Sequence, residues 1–202
     1  MPSRTSRGTV PFVTADLASK PTLEGDLVVL RPIRAQDADA IDAIIRADPE
    51  IARLTGSVNS SDEVPETLPL EGLREIYGGW ATADDRLVLG VIDRASGELV
   101  GEVVLAGWDE GNRSCWFRTL IGSAGRGRGL GTEATRLIVD HGFQVLGLHR
   151  ITLEVYDFNP RARHVYEKVG FVHEGTGRDA LLFDGEWIDV HYMSVIASDW
   201  PS

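Results

Sequence analysis

Gly122-Ser-Ala-Gly-Arg126-Gly-Arg128-Gly129-Leu-Gly131-Thr132 is too rich in glycine to form a regular element. Immediately before it, Ser114 to Ile121 has the composition of a strand. Immediately after it, from about Gly131 to Val145, Ala134, Leu137, Ile138 and Phe143 recur at helical spacing. Strand, flexible loop and helix start thus follow one another. A helix N-terminus presents unpaired backbone N–H groups and a partial positive charge. A glycine-rich approach lets an anion reach those amides. Arg126 and Arg128 add local positive charge, so the loop is expected to hold a phosphate or pyrophosphate.

Three other readings compete. The loop could be a turn with no ligand. A Walker loop is excluded because no Gly-Lys-Ser/Thr follows. Gly129-Leu-Gly131-Thr-Glu-Ala134 does match a dinucleotide fingerprint, and Glu154 lies about where a ribose-binding acid belongs. Against this, a dinucleotide loop turns tightly after its strand, whereas Gly122 to Arg128 intervenes here. The chain also lacks the repeated strand–helix–strand units that extend such a sheet.

Working outward, Leu87 to Ile92 and Glu98 to Leu105 flank the turn Asp93-Arg-Ala-Ser-Gly97 and read as a hairpin, with Ser114 to Ile121 as the third strand of the meander. Upstream, Leu27 to Arg31 is a strand closed by Pro32. Asp37 to Ala47 is a helix with Pro49 beyond its end, Thr55 to Pro69 a loop, and Leu70 to Ala81 a weaker helix. Downstream, Ile151 to Tyr156 is a strand. Asn159-Pro160 starts a helix that stops at Gly170. A last hairpin turns at Asp184-Gly185 and ends with Trp187 to Ile196. The sum is a mixed α/β arrangement with an antiparallel meander. The helix after the glycine loop crosses over to Ile151, which implies a locally parallel pair.

The 202 residues suit one domain, expected over 23–202, behind a loose Ser/Thr/Pro/Ala-rich tail over 1–22. A net charge of −11 repels nucleic-acid backbones and suits a cationic partner, or simply solubility. No run approaches the roughly 18 apolar residues of a membrane span, and the N-terminus has no apolar core of signal-peptide length, so neither membrane nor export is expected and the protein is read as cytoplasmic. The single cysteine, Cys115, permits no internal disulfide and reads as a small buried strand residue. The five histidines have no metal-ligand spacing, so no metal is expected.

Arg126-x-x-Gly129-x-Gly131 resembles the Gln/Arg-x-x-Gly-x-Gly/Ala signature of the GNAT acyltransferase superfamily. Asn159-Pro-Arg-Ala162-Arg-His-Val-Tyr166-Glu-Lys-Val-Gly170-Phe171 resembles that family's Asn-x-x-Ala/Ser…Tyr-x-Lys-x-Gly-Phe segment, about 30 residues further on and in the expected order. The stretch from Phe183 to Met193 is similar to the RimJ/RimL type, a branch with ribosomal-protein, polyamine and antibiotic acetyltransferases. The resemblance covers roughly Leu23 to Ile196. It implies a GNAT fold: a mostly antiparallel sheet of about six or seven strands with flanking helices and a splayed parallel pair at the acyl-CoA site. It implies acetyl-CoA as acyl donor and, as acceptor, a primary amine such as an aminoglycoside, a polyamine or a protein N-terminus. Because exposed strand edges in this fold pair, a homodimer is a further expectation. A non-catalytic acyl-CoA-sensing module on the same fold is the alternative function.

The resemblance also assigns residues. Backbone amides of Arg126, Gly127, Arg128, Gly129, Leu130 and Gly131, with Thr132, should wrap the pyrophosphate. Thr119, Leu120 and Ile121 should pair with the pantetheine arm, with a strand amide near Leu120 as oxyanion donor. Asn159 should contact CoA, although its capping role alone would explain it. Tyr166 is the candidate general acid, since a phenol keeps its proton at neutral pH; its stripe with Ala162, Val165 and Val169 is equally that of a core aromatic. Glu102 is the candidate base, with Asp109 and Glu154 as alternatives. Asp179, Asp184, Glu186 and Asp189 crowd the last hairpin and could attract a cationic amine, or be a solvated turn. Trp80, Trp108, Trp116 and Tyr192 could line the acceptor pocket or belong to the core.

Overall fold

The computed structural model describes residues 16–63 and 68–201. Its elements, in chain order, are β1 (Leu23–Glu24), β2 (Val28–Pro32), α1 (Asp37–Ala47), α2 (Glu50–Leu54), α3 (Leu70–Thr82), β3 (Arg86–Asp93), β4 (Leu99–Asp109), β5 (Ser114–Ile121), α4 (Leu130–Gln144), β6 (Arg150–Tyr156), α5 (Pro160–Val169), β7 (Val172–Phe183) and β8 (Glu186–Ile196). The eight strands form one sheet in the order β1-β2-β3-β4-β5-β6-β8-β7, antiparallel throughout except for β5 and β6. The sheet has one strand more than expected because the two residues of β1 pair with β2.

Each face of the sheet is covered by helices, and strand alternation assigns the side chains. Leu87, Leu89, Val91, Val103, Leu105, Cys115, Phe117, Ile151 and Leu153 pack with Leu130, Ala134 and Ile138 of α4 and Tyr166 and Val169 of α5. The opposite face, with Val88, Val104 and Ala106, packs on Ile41 of α1 and Tyr77 of α3.

Two boundaries differ from the sequence reading. Pro49 does not simply end α1; its fixed φ starts the short α2, which the loop composition around it concealed. The expected tail over 1–22 lies outside the described residues up to residue 15, but residues 16–22 are docked. Leu17 is fully buried in the core. The Lys20 ammonium donates to the carbonyls of Leu17, Ala83 and Arg86. A single apolar side chain with no periodic neighbours leaves no pattern in a sequence.

Candidate active site

β5 and β6 pair over only three positions, Ser114–Arg150, Cys115–Ile151 and Trp116–Thr152. Beyond Trp116, β5 continues against β4 alone, and beyond Thr152, β6 continues against β8 alone. The two strands therefore splay. The opening belongs to a groove of about 1030 Å³ lined by β5, β6, the glycine loop, α2 and α5. Thr119, Leu120, Ile121, Arg126, Gly127, Gly129, Gly131, Thr132, Asn159 and Tyr166 all line it.

The glycine loop is shaped by backbone chirality. Gly127 and Gly129 have φ of +71° and +82°, the left-handed region that side chains disfavour. Gly129 is the N-cap of α4, and Glu133 N–H makes the first helical bond to its carbonyl at 3.1 Å. The amides of Leu130, Gly131 and Thr132 thus open the helix without intrahelical partners. Glu133, the acid of that first turn, is turned aside: its carboxylate accepts from the N–H groups of Asp26, Leu27 and Val28 at 3.0, 2.7 and 2.8 Å. This locks α4 onto the β1–β2 turn and withdraws a negative charge from the anion-binding end.

The two loop arginines do not supply the free positive charge expected of them. Arg126 donates to the Ile121 carbonyl at 2.9 Å and pairs with Asp48 and Glu50 at 2.6 and 2.8 Å. The side chain of Arg128 points away from the groove and pairs with Asp93 at 2.7 Å. Leu130 turns its side chain into the core, leaving only its amide for a ligand. The arginines brace the loop, and backbone amides remain as its anion donors. Arg161 on α5 shares Glu50 at 2.9 Å, so one carboxylate ties the loop to α5 across the groove. The hydrogen bond from Arg161 holds the Glu50 carboxyl below its usual range.

At the start of α5, the Asn159 side chain accepts from Ala162 N–H at 3.1 Å, with Pro160 in the first turn. Capping occupies its oxygen, while the residue still lines the groove. Tyr166, two turns on, lies edge-on to Phe117, ring centroids 6.1 Å apart, and is 7% exposed. Its hydroxyl has no hydrogen-bond partner among the described residues. Burial pushes the phenol above its ordinary value, so it is protonated at neutral pH.

Of the strand amides near Leu120, that of Leu120 itself does not face the opening. The Gly122 N–H bonds to the Val100 carbonyl at 2.9 Å. Antiparallel ladders alternate from there, so Leu120, opposite Glu102, turns its N–H to β4. Thr119 and Ile121 turn theirs to the splay.

Glu102 is also displaced from its expected role. It is 1% exposed, lies behind Arg118 and pairs with that guanidinium at 2.7 Å; it does not line the groove. Burial raises its carboxyl, with Arg118 opposing. The carboxylate on β6 that does line the groove is Glu154. Asp109 lies away from it, accepting from Asn112. The acidic hairpin is committed elsewhere too. Asp184 accepts from Ser61 N–H at 2.7 Å and Asp189 from Asp179 N–H at 2.9 Å, and none of its four acids reaches the groove. Of the aromatics, Trp116 and Tyr192 line the groove whereas Trp80 and Trp108 do not. Cys115 is buried, its thiol pushed up to about 12.

Sequence reasoning missed Arg118, Tyr156 and α2. Ile51 and Leu54 of α2, with Thr55 just beyond its end, form one wall. Gly56, at φ +64°, lets the chain turn over Tyr156, whose ring lies 2.6 Å from where a Cβ would stand. The period-2 alternation of β5 and β6 could have placed Arg118 and Tyr156 on one face, but only once the register was known. Among the described residues, no group of His, Cys, Asp or Glu could hold a metal ion, and no helix is long and apolar enough to cross a membrane.

Comparison with known proteins agrees with this geometry. Residues 28–172 match the family model of the acetyltransferase (GNAT) domain. Over 110 residues the chain is 33% identical to spermidine N(1)-acetyltransferase of Vibrio cholerae, covering 54% of this chain and 64% of that protein. It is 28% identical over 112 residues to the [ribosomal protein uS5]-alanine N-acetyltransferase of Escherichia coli, covering 55% and 58%. The chain thus matches about three-fifths of the length of these curated relatives. The crystal structure of spermidine N-acetyltransferase from Vibrio cholerae in complex with CoA and spermine superposes with a TM-score of 0.74 at 26% identity, covering 87% of this chain and 98% of that one. By its family model, its sheet and its splayed parallel pair, the chain belongs to the GNAT acetyltransferases, with RimJ/RimL-like enzymes among its relatives.

Proposed function

We propose that the protein is an N-acetyltransferase that moves an acetyl group from acetyl-CoA to a primary amine within a ternary complex. The observation that carries this reading is the splay of β5 from β6 after Trp116, with a helix N-terminus at one end of the opening and Tyr166 beside it. The amides of Gly127 to Thr132 suit a pyrophosphate, because they are backbone donors in a loop whose side-chain charges are already compensated. The splay-facing amides of Thr119 and Ile121 suit the amide-rich arm that follows, and one of them suits the developing charge on the thioester oxygen.

Amine attack requires a neutral nucleophile and a protonated leaving group. Glu154 takes the proton from the amine, directly or through a water. Tyr166 gives its proton to the departing thiolate, for which an uncharged buried phenol is well matched. Holding both reactants in one groove supplies the remaining advantage as proximity. Glu102 acts indirectly by fixing Arg118.

The test is thiol release from acetyl-CoA in the presence of peptide N-termini, polyamines, aminoglycosides and amino acids. Release with at least one amine is expected. Calorimetric CoA binding with no release from any acceptor would instead favour an acyl-CoA-sensing module.

A further inference from the structure

Two opposed charges, those of Arg118 and Glu154, flank the groove without contacting each other. Trp116 and Thr152 are the last bridged residues of β5 and β6, so they share a face. Two residues further along each strand stand Arg118 and Glu154, on that same face and at the same height on the two arms of the splay. Both line the groove, and they make no ion pair with each other. Each side of the opening therefore offers one charge of opposite sign to whatever enters.

Arg118 is held in place. One terminal nitrogen donates to Glu102 at 2.7 Å, and the guanidinium carbon lies 5.9 Å from the Trp80 ring centroid. A guanidinium has five N–H donors; among the described residues no other partner takes one from Arg118. Glu102 is itself fully buried behind the guanidinium. The other arginines lining the groove are engaged with acids: Arg126 with Asp48 and Glu50, Arg161 with Glu50, and Arg150 with Glu174. Arg118 likewise has an acid partner, Glu102, but that contact takes one terminal nitrogen and pins the guanidinium with its other donors open on the groove side.

We infer that Arg118 selects acceptors that carry a carboxylate near the reacting amine, so that the substrate is an amino acid or other aminocarboxylate bound between Arg118 and Glu154. Such a zwitterion matches both arms at once, and a guanidinium fork is well suited to a carboxylate. A polyamine would satisfy Glu154 but bring its further ammonium groups toward Arg118. This inference rests on the N-acetyltransferase reading and deepens it.

The experiment compares kcat/KM, with acetyl-CoA, for glycine, β-alanine, 4-aminobutyrate and phenylalanine, each against its primary amide, and for spermine. At least one acid is expected to exceed its amide by about tenfold or more, mainly through KM. Arg118→Met should bring that ratio to within about twofold, and Arg118→Lys should restore part of it. Because Arg118→Met strands the Glu102 carboxylate, the double variant Glu102→Gln/Arg118→Met is measured beside it and should show the same collapse. Amides or spermine matching the acids in the wild type, or a preference that survives both variants, overturns the assignment of Arg118 while leaving amine acetylation intact. No thiol release with any amine overturns the N-acetyltransferase reading, and this inference with it.

Discussion

The two ends of the groove solve the problem of holding a charged ligand in opposite ways. At the glycine loop every nearby side-chain charge is compensated: Arg126 by Asp48 and Glu50, Arg128 by Asp93, and Glu133 by three backbone amides. What remains open there is backbone. At the splay only alternate backbone groups pair with β4 and β8, those of Thr119 and Ile121 facing the opening, and side chains stand open beside them: Arg118, Glu154 and Tyr166. Backbone donors recognise any ligand of one shape, as suits an acyl donor common to a family. Side chains can be exchanged one at a time, as suits an acceptor that differs between relatives. Substitutions at the two ends should therefore fail differently.

The largest effect is expected at the seam between them. Tyr166→Phe removes one oxygen from a buried ring and should lower kcat by about 10²–10⁴-fold, the range for general acid–base catalysis. CoA affinity by calorimetry should stay within about twofold. A kcat within about threefold of wild type would make Tyr166 a packing residue. Glu154→Gln comes next, with kcat/KM for the amine down about a hundredfold. If kcat/KM stays within about threefold of wild type, another group accepts the proton.

Gly129→Val tests the other end. A β-branched residue at φ +82° opposes the left-handed N-cap by about 1–2 kcal/mol, and Leu27 Cδ1 lies 3.3 Å from the new Cβ. The KM for acetyl-CoA should rise by about tenfold while kcat at saturation changes little. A fall in kcat alone would mean that the two ends are not separable.

The smallest effect concerns Glu102. Its folded-state pKa is raised by burial, so the native state binds more protons than the unfolded chain in the range above the ordinary carboxylate value. Stability therefore falls as pH rises from that ordinary value through the raised one. Glu102→Gln removes the titration. Its Tm relative to wild type should improve by a few degrees on going from about pH 4 to pH 8. A constant difference across that range would show that Arg118 fully offsets the burial.

Much of this architecture is legible before folding because local rules suffice. Asn159, Pro160 and Gly170 mark the limits of α5, and Asp184-Gly185 marks a hairpin whose two turn residues both have positive φ. By contrast, α2 carries only five residues, too few for periodicity to declare. Glu102 and Glu154 are indistinguishable as carboxylates on strands; one is buried behind an arginine and the other lines the groove only because β4 is central while β6 borders the splay. The acidic hairpin misleads for a related reason: Asp184 serves Ser61, more than a hundred residues away, and Asp189 serves Asp179 within the hairpin itself.

The sequence alone determined the glycine loop, the helix it starts and the ordered pair of motifs that announce an acyl-CoA fold, because turns, caps and amphipathic stripes are set by residues within one or two turns of each other. Only the tertiary structure decided which charges are spent and which remain open. Arg126 and Arg128, conspicuous in the sequence, are neutralised by Asp48 and Glu50 at the start of α2 and by Asp93 at the end of β3. Arg118 and Glu154, inconspicuous in theirs, face each other because β5 and β6 part after three bridges. Charge compensation and strand register are long-range properties, and they determine what the groove offers to its acceptor.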